Sequence, residues 1–374
     1  MTEIGCDLVK AGDSFYNIAR KTKGLLAIKK QQKAELLTAP ALKSDSGQLG
    51  LVKEELKTKL LEVLPREGHP LFSVAKTHFA EFGKMLRGTT SLTISNAVGL
   101  DHDIGLNWAL AVELMHNASL VHDDVCDEDD FRRDHPTVFA IHGAPLAICF
   151  GDWLVAKSFE CATLAAKECR GESLTAITLI AKVMSELSAG QAKEFTGEPI
   201  LDWESYDTLV SSKTVPLLSA AVEGPILLSN KTEYFETIRN FIHSLGLGYQ
   251  ISNDISDALG KDGSNKPFSD LYRGAPNAVS ITFRDTLKNG HRLEFEEWVR
   301  NKFRLNHTNW LTEIRQNGAV DICTQQLQQY IGACHQYKSN LPEELQKALS
   351  PLVSYLEQSV KQQFSLAKNR SESS

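Results

Sequence analysis

The chain has 374 residues and a mass of 41.4 kDa, enough for one large domain or two or three ordinary ones. A hydrophobic share of 42% beside 23% charged residues excludes a mainly disordered, collagen-like or mucin-like protein. Lys and Arg number 40 against 47 Asp and Glu, a formal charge of −7, which argues against a generic nucleic-acid binder because phosphate affinity comes from clustered cations.

At the N-terminus, MTEIGCDLVK lacks the basic start and apolar run of a secretory signal. The Lys-rich stretch Arg20–Lys33 leaves an organellar transit peptide as the alternative to a cytoplasmic location. Residues 1–50 read as a partly mobile extension, polar at Ser44–Gly50. Proline is sparse, at 12 residues, and apolar positions recur every three or four residues rather than alternating, so the chain is predicted all-α. Helical windows fall at 52–64, 71–86, 105–127, 144–168, 173–197, 204–223, 231–260, 290–303, 308–316, 319–335 and 341–367. They make one large bundle over residues 51–367, with a loop at Gly260–Lys266 and a polar tail from 368 to 374. No continuous apolar run is long enough to span a bilayer; Leu217–Leu228 is interrupted by Glu223 and Pro225. Seven cysteines, scattered and without ligand spacing, read as reduced thiols.

The helix over 105–127 ends in an acidic cluster, His122-Asp123-Asp124-Val-Cys-Asp127, followed by Arg132-Arg133. Steps of three or four residues put Glu113, His116, Leu120, Asp123 or Asp124, and Asp127 on one stripe. Adjacent carboxylates repel unless cations neutralise them, and hard oxygen ligands favour Mg²⁺, which keeps waters and binds substrate phosphates. A solvated acidic face is the bland alternative; the apolar run leading in and the two arginines behind it favour a diphosphate site, since guanidinium forks suit phosphate oxygens. A second cluster, Gln250, Asn253, Asp254 and Asp257, repeats the spacing. There Asn253 offers a carbonyl oxygen but no charge, and a plain polar helix end is an equal reading.

On these residues the chain resembles the trans-isoprenyl diphosphate synthases, or polyprenyl synthases, over roughly residues 75–285. The elements come in family order: Gly83-Lys84 with Arg87, the aspartate-rich run to Arg133, Gly151-Asp152, Gly190-Gln191, Lys213-Thr214, Gln250 to Asp257, and Lys266 to Asp270. The resemblance implies an all-α bundle of the isoprenoid-synthase type around a deep central cavity, usually a homodimer. It implies Mg²⁺, three ions with bound diphosphate, held by Asp123, Asp124, Asp127, Asn253, Asp254 and Asp257. Arg132, Lys213 and Lys266 would hold an allylic diphosphate; Lys84, Arg87, His116 and Arg133 would bind isopentenyl diphosphate. Lys213, Thr214 and Gln250 would act in catalysis, and Ala118 and Ser119 would limit product length. Neither carries an aromatic ring, so a product of C20 or longer is expected. Asn253, Asp134 and Ala275 depart from the family pattern, where Asp, Gly and Lys are usual. They raise two alternatives to chain elongation: a weakly active regulatory subunit, and a class I terpene cyclase-like lyase. Against the cyclase, Asp257 and Lys261 stand where its metal motif would have Ser or Thr and Glu.

Overall fold

The computed structural model describes residues 45–133, 135–167, 169, 172–196, 200–260, 268, 275–301 and 310–371. The polar N-terminal stretch up to residue 44, the loop at 261–267 and the end of the tail at 372–374 lie outside them. The chain divides into two units, residues 1–51 and 52–374; the candidate site described below lies wholly in the second.

In chain order the helices are α1 (Asp45–Val63), α2 (Phe72–His78), α3 (Leu86–Ala97), α4 (His102–Cys126), α5 (Val138–Lys167), α6 (Ser173–Thr196), α7 (Trp203–Lys213) and α8 (Val215–Leu228). A 3₁₀ turn at Thr232–Tyr234 leads into α9 (Phe235–Ala258), followed by α10 (Ala278–Thr286), α11 (Asn289–Arg300), α12 (Trp310–Gln316), α13 (Ala319–Ser339) and α14 (Glu343–Ser371). Among the described residues the strands are a two-residue pair, β1 (Phe131–Arg132) and β2 (His135–Pro136), antiparallel with Arg132 opposite His135. The all-α expectation holds.

Several windows need correction, each for a local physical reason. The window 71–86 is not one helix: α2 stops at His78, and Gly83 (φ 62) and Met85 (φ 51) take left-handed conformations before α3 begins. Helix α3 was missed because Thr89, Thr90, Ser91, Thr93 and Ser95 look like loop residues. Their hydroxyls instead bond back along the helix, Thr89 Oγ1 to Met85 O, Thr93 Oγ1 to Thr89 O and Ser95 Oγ to Ser91 O, each at 2.8 Å. The window 204–223 divides at Thr214, where Pro216 opens α8. Helix α10, also unforeseen, is capped by Asn277, whose side chain accepts from Val279 N at 2.9 Å.

Helix α4 is the central post: Trp108, Leu110, Val112, Leu114, Met115 and Val121 are fully buried along it, each worth roughly 1.5–3 kcal/mol for a large apolar side chain. Its Trp108 Nε1 donates to Ala220 O of α8 at 2.9 Å. A Cβ at Gly224 would come within 2.0 Å of the Trp108 ring, so glycine there lets α8 close on α4. A second cluster, with Tyr206, Ile251, Ile255, Phe283, Phe295 and Trp310, ties α7 and α9 to α10–α12. Helix α5 has the length and hydropathy of a membrane span. It is broken at Gly143 (φ 77), carries Asp152, Lys157 and Glu160, and packs Phe150, Leu154, Ala162 and Ala165 into the core.

Candidate functional site

A cavity of about 1150 Å³ opens between α3, α4, α6, α7, α9 and α14. On the α4 wall the helical period brings His116, Ser119, Leu120, Asp123 and Asp127 to the cavity. Asp123 is pushed up to about 6, chiefly by burial; the Asp127 and Glu194 carboxylates push it the same way, and Lys213 and Arg132 oppose them. Asp124, expected as a metal ligand, turns to the other side. It is buried and accepts from Arg132 Nε and Nη2, both at 2.6 Å. That pair fixes Arg132, which lines the cavity.

The basic wall is built by the break between α2 and α3. Lys84 and Arg87 line the cavity with Arg133, and a Cβ on Gly83 would fall within 2.1 Å of Arg133 Nη1. Lys84 Nζ donates to Tyr355 Oη at 3.1 Å and sits 4.4 Å from the centre of that ring. Arg87 Nη1 reaches His116 Nε2 at 3.4 Å. A guanidinium can only donate, so Nε2 accepts and the imidazole proton lies on Nδ1. Burial, reinforced by Arg87 and Arg133, holds His116 well below its usual range, so it acts as a neutral donor. Arg87 Nε and His116 Nδ1 are buried with no partner among the described residues, as an anion-binding wall would leave them. Behind them Glu113 accepts from Gly88 N at 3.0 Å and pins the first turn of α3.

On the opposite walls Lys213, Thr214, Gln250 and Asn253 line the cavity. Thr214 Oγ1 donates to Gln250 Oε1 at 3.2 Å. Lys213 Nζ donates to both oxygens of Glu194 at 2.8 Å. The other members of the second acidic cluster do not line the cavity. Asp254 is fully buried and accepts from Tyr206 Oη at 2.7 Å, Gln250 Nε2 at 2.9 Å and Ala278 N at 2.7 Å. Asp257 is buried against Asn277 Nδ2 at 3.3 Å. Their surroundings assign them to bracing the start of α10. Ala118 is also fully buried off the cavity, which leaves Ser119 as the lining residue of the expected length-limiting pair. Lys266 and Asp134 lie outside the described residues.

Sequence reasoning missed Glu194, Tyr206, Tyr249 and Tyr355, all of which line the cavity. Glu194 stands three residues beyond Gln191 on one helix and was legible from that spacing; Tyr355 has no local signal. Gly151 and Asp152 gain a plain explanation, because a Cβ at Gly151 would meet His122 Nε2 at 2.2 Å and Asp152 pairs with His122 at 3.3 Å.

The polyprenyl synthetase family model matches residues 69–313. The chain belongs to this family of trans-isoprenyl diphosphate synthases, and it is a prenyltransferase by that membership. It is 33% identical over 236 residues to a geranylgeranyl pyrophosphate synthase of Geoglobus acetivorans, covering 62% of this chain and 72% of that protein. It is 30% identical over 262 residues to a short chain isoprenyl diphosphate synthase of Methanocaldococcus jannaschii, covering 69% and 78%. Among solved structures, the geranylgeranyl pyrophosphate synthetase of Pyrococcus horikoshii superposes with a TM-score of 0.71 at 25% identity, over 84% of this chain and 99% of that one.

No group of three or more His, Cys, Asp or Glu side chains closes on one point among the described residues. Asp123 and Asp127 nevertheless fit Mg²⁺, which is commonly bound by one or two carboxylates plus substrate phosphates and water.

Proposed function

We propose that this prenyltransferase condenses isopentenyl diphosphate with an allylic diphosphate, in the presence of Mg²⁺, to give a trans-polyprenyl diphosphate of C20 or longer. The observation that carries this reading is one cavity lined by five cationic side chains, Lys84, Arg87, Arg132, Arg133 and Lys213, together with Asp123 and Asp127. Arg87 and Arg133 act on His116, and Lys213 acts on Asp123; cations in that number and spread suit two diphosphates better than one.

Asp123 and Asp127, with Asn253 opposite, would hold Mg²⁺, which neutralises the diphosphate and stabilises it as a leaving group. Arg132 and Lys213 bind its oxygens and stabilise the charge that develops there as the allylic C–O bond breaks. Arg87, Lys84 and the Nδ1–H of His116 fix the diphosphate of the isopentenyl partner, so that its double bond faces the allylic cation. Oxygens of Thr214 and Gln250 stabilise positive charge beside the reacting carbons, and Leu120, Leu187, Leu209 and Leu217 along the wall keep water from the cation. The proton lost after bond formation passes to the departing diphosphate.

Assembly as a homodimer is supported by the exposed apolar side chains Ile141, Ile148 and Leu164 along α5. A cytoplasmic location is supported by Cys126, Cys149, Cys161, Cys323 and Cys334, which are free thiols among the described residues.

A second reading, a weakly active regulatory subunit, is favoured by Asn253 and Ala275 on the cavity wall while Asp254 and Asp257 are buried. One assay separates the possibilities: protein with dimethylallyl, geranyl or farnesyl diphosphate, with and without isopentenyl diphosphate, in Mg²⁺ or EDTA, products read by mass spectrometry. Chain growth that needs both Mg²⁺ and isopentenyl diphosphate, and disappears in Asp123→Asn, is the expected result. Folded protein that shows no growth would leave the regulatory subunit. Hydrocarbon release without isopentenyl diphosphate would point to a cyclase.

A further inference from the structure

The segment between α2 and α3, residues 79–85, carries Lys84 and the Gly83 contact with Arg133, and Arg87 follows in the first turn of α3. Both ends of this segment meet one chain of side chains on α4. At the α2 end His78 Nε2 donates to Asn117 Oδ1 at 2.9 Å, an amide oxygen that can only accept. Asn117 Nδ2 donates to Glu113 O at 2.7 Å and reaches Glu113 Oε1 at 3.4 Å. At the α3 end Glu113 Oε2 accepts from Gly88 N at 3.0 Å. The middle of the segment is tied separately, by Lys53 Nζ donating to Gly83 O at 2.9 Å.

Helix α3 needs an acceptor from outside, because its N-cap residue, Met85, is left-handed at φ 51 and makes no side-chain capping bond. Gly88 lets α4 come close enough to supply one: a Cβ there would lie 3.0 Å from Glu113 Oε2 and 3.2 Å from Glu113 Cβ. Glu113 and Asn117 are 2% and 7% exposed. Burial raises the Glu113 carboxyl above its usual range, while Gly88 N, Arg87, Asn117 and Arg133 pull it back down. Among cations that are to hold a diphosphate, a carboxylate opposes binding by its charge; its hydrogen bonds give it a different use. We propose, on the elongation reading above, that Glu113 and Asn117 are positioning residues for isopentenyl diphosphate. The relay from His78 through Asn117 and Glu113 to Gly88 N fixes both ends of the basic segment to α4, so Lys84 and Arg87 stand at a set distance from the helix that carries Asp123 and Asp127.

The test is steady-state kinetics with both substrates varied, on wild type, Glu113→Leu, Glu113→Gln, His78→Leu, Arg87→Ala and the Glu113→Leu/Arg87→Ala double variant, with circular dichroism to verify folding. Glu113→Leu is expected to raise the KM for isopentenyl diphosphate about tenfold or more, within the cost of a misplacement of roughly 1 Å. Its kcat and allylic KM should stay within about threefold of wild type. Glu113→Gln keeps an oxygen for Gly88 N and should bring the isopentenyl KM back to within about threefold. In the double variant the two losses should fall short of adding, because Glu113 acts through Arg87. His78 lies outside the cavity lining, so a rise in the isopentenyl KM alone in His78→Leu comes through the relay and decides the matter if Glu113→Leu does not fold. Folded Glu113→Leu or His78→Leu with the wild-type KM overturns the proposal, as do both KM values rising together or fully additive losses in the double variant. Glu113→Gln as impaired as Glu113→Leu would also overturn it, because charge and not the bond to Gly88 would then be at issue. A wild-type protein that extends no allylic diphosphate refutes the elongation reading itself, a result distinct from the others.

Discussion

Tyr206→Phe separates a structural from a metal-binding role for Asp254. The hydroxyl and the carboxylate are both buried, at 1% and 0% exposure, and lie 2.7 Å apart. The substitution removes one oxygen and leaves the ring, so no cavity is created beyond that atom. It takes a donor from a buried carboxylate, which costs about 1.5–3 kcal/mol. Gln250 Nε2 and Ala278 N still donate to Asp254, which keeps the loss below the ~3–5 kcal/mol of a broken buried ion pair. For a unit spanning residues 52–374, an unfolding entropy of roughly 0.7 kcal/mol per degree converts this to a fall of about 2–4 °C in Tm. Calorimetry of the substrate-free protein measures the shift, and a Mn²⁺ titration with bound allylic thiolodiphosphate, an analogue whose C–S bond does not ionise, should give the wild-type affinity. An unchanged Tm together with lost metal affinity would refute the assignment, since Asp254 would then be turned toward the metal.

Asp123 must lose its proton to hold a cation, and with its carboxyl pushed up to about 6, apparent Mg²⁺ affinity should weaken about tenfold per pH unit below that value. Flat metal affinity between pH 5 and 7 would count against it. Because that carboxyl lies above its ordinary value of 3.8, its stabilising contribution is full below 3.8 and lost as pH rises through about 6. Asp123→Asn should therefore stabilise the substrate-free protein at pH 7.5 by about 1–2 kcal/mol after solvent screening, measured by denaturant unfolding, while abolishing turnover. Arg87→Ala removes a charged donor and should raise the KM for isopentenyl diphosphate roughly ten- to hundredfold; steady-state kinetics that match wild type would exclude that residue. Ser119→Phe should shorten the product, whereas Ala118→Phe overpacks the core at a cost of about 1–3 kcal/mol and should leave product length alone; chromatography of the chain-length distribution checks both, and the reverse pattern would refute the wall assignment.

The helical period made His116, Asp123 and Asp127 readable as one face, because on a long buried helix the stripe is fixed by the core beneath it. The same period could not choose between Asp123 and Asp124, which both satisfy it. That choice is made by Arg132, arriving from the β1–β2 pair to engage Asp124. The second cluster misled for a related reason: Asp254 is claimed by Tyr206 and by the backbone of α10, an element whose start was not foreseen. Ala118 and Ser119 are neighbours in sequence, yet about 100° of helical rotation separates them, enough to put one in the core and the other on the cavity wall. Glu194 could have been found by following α6 one turn from Gln191. Tyr355 could not, since only the return of the last helix brings it to Lys84.

The contact between Gly83 and Arg133 couples two motifs 50 positions apart. At position 83 the backbone, at φ 62, already strains any side chain, and a methyl group would also meet the Arg133 guanidinium at 2.1–2.7 Å. That guanidinium is the exposed far end of a flexible side chain, so it can swing aside, but only by leaving its present place on the cavity wall. Gly83→Ala would therefore displace a cation from the diphosphate site as well as strain the turn; shortening residue 133 would remove the clash and leave the backbone strain.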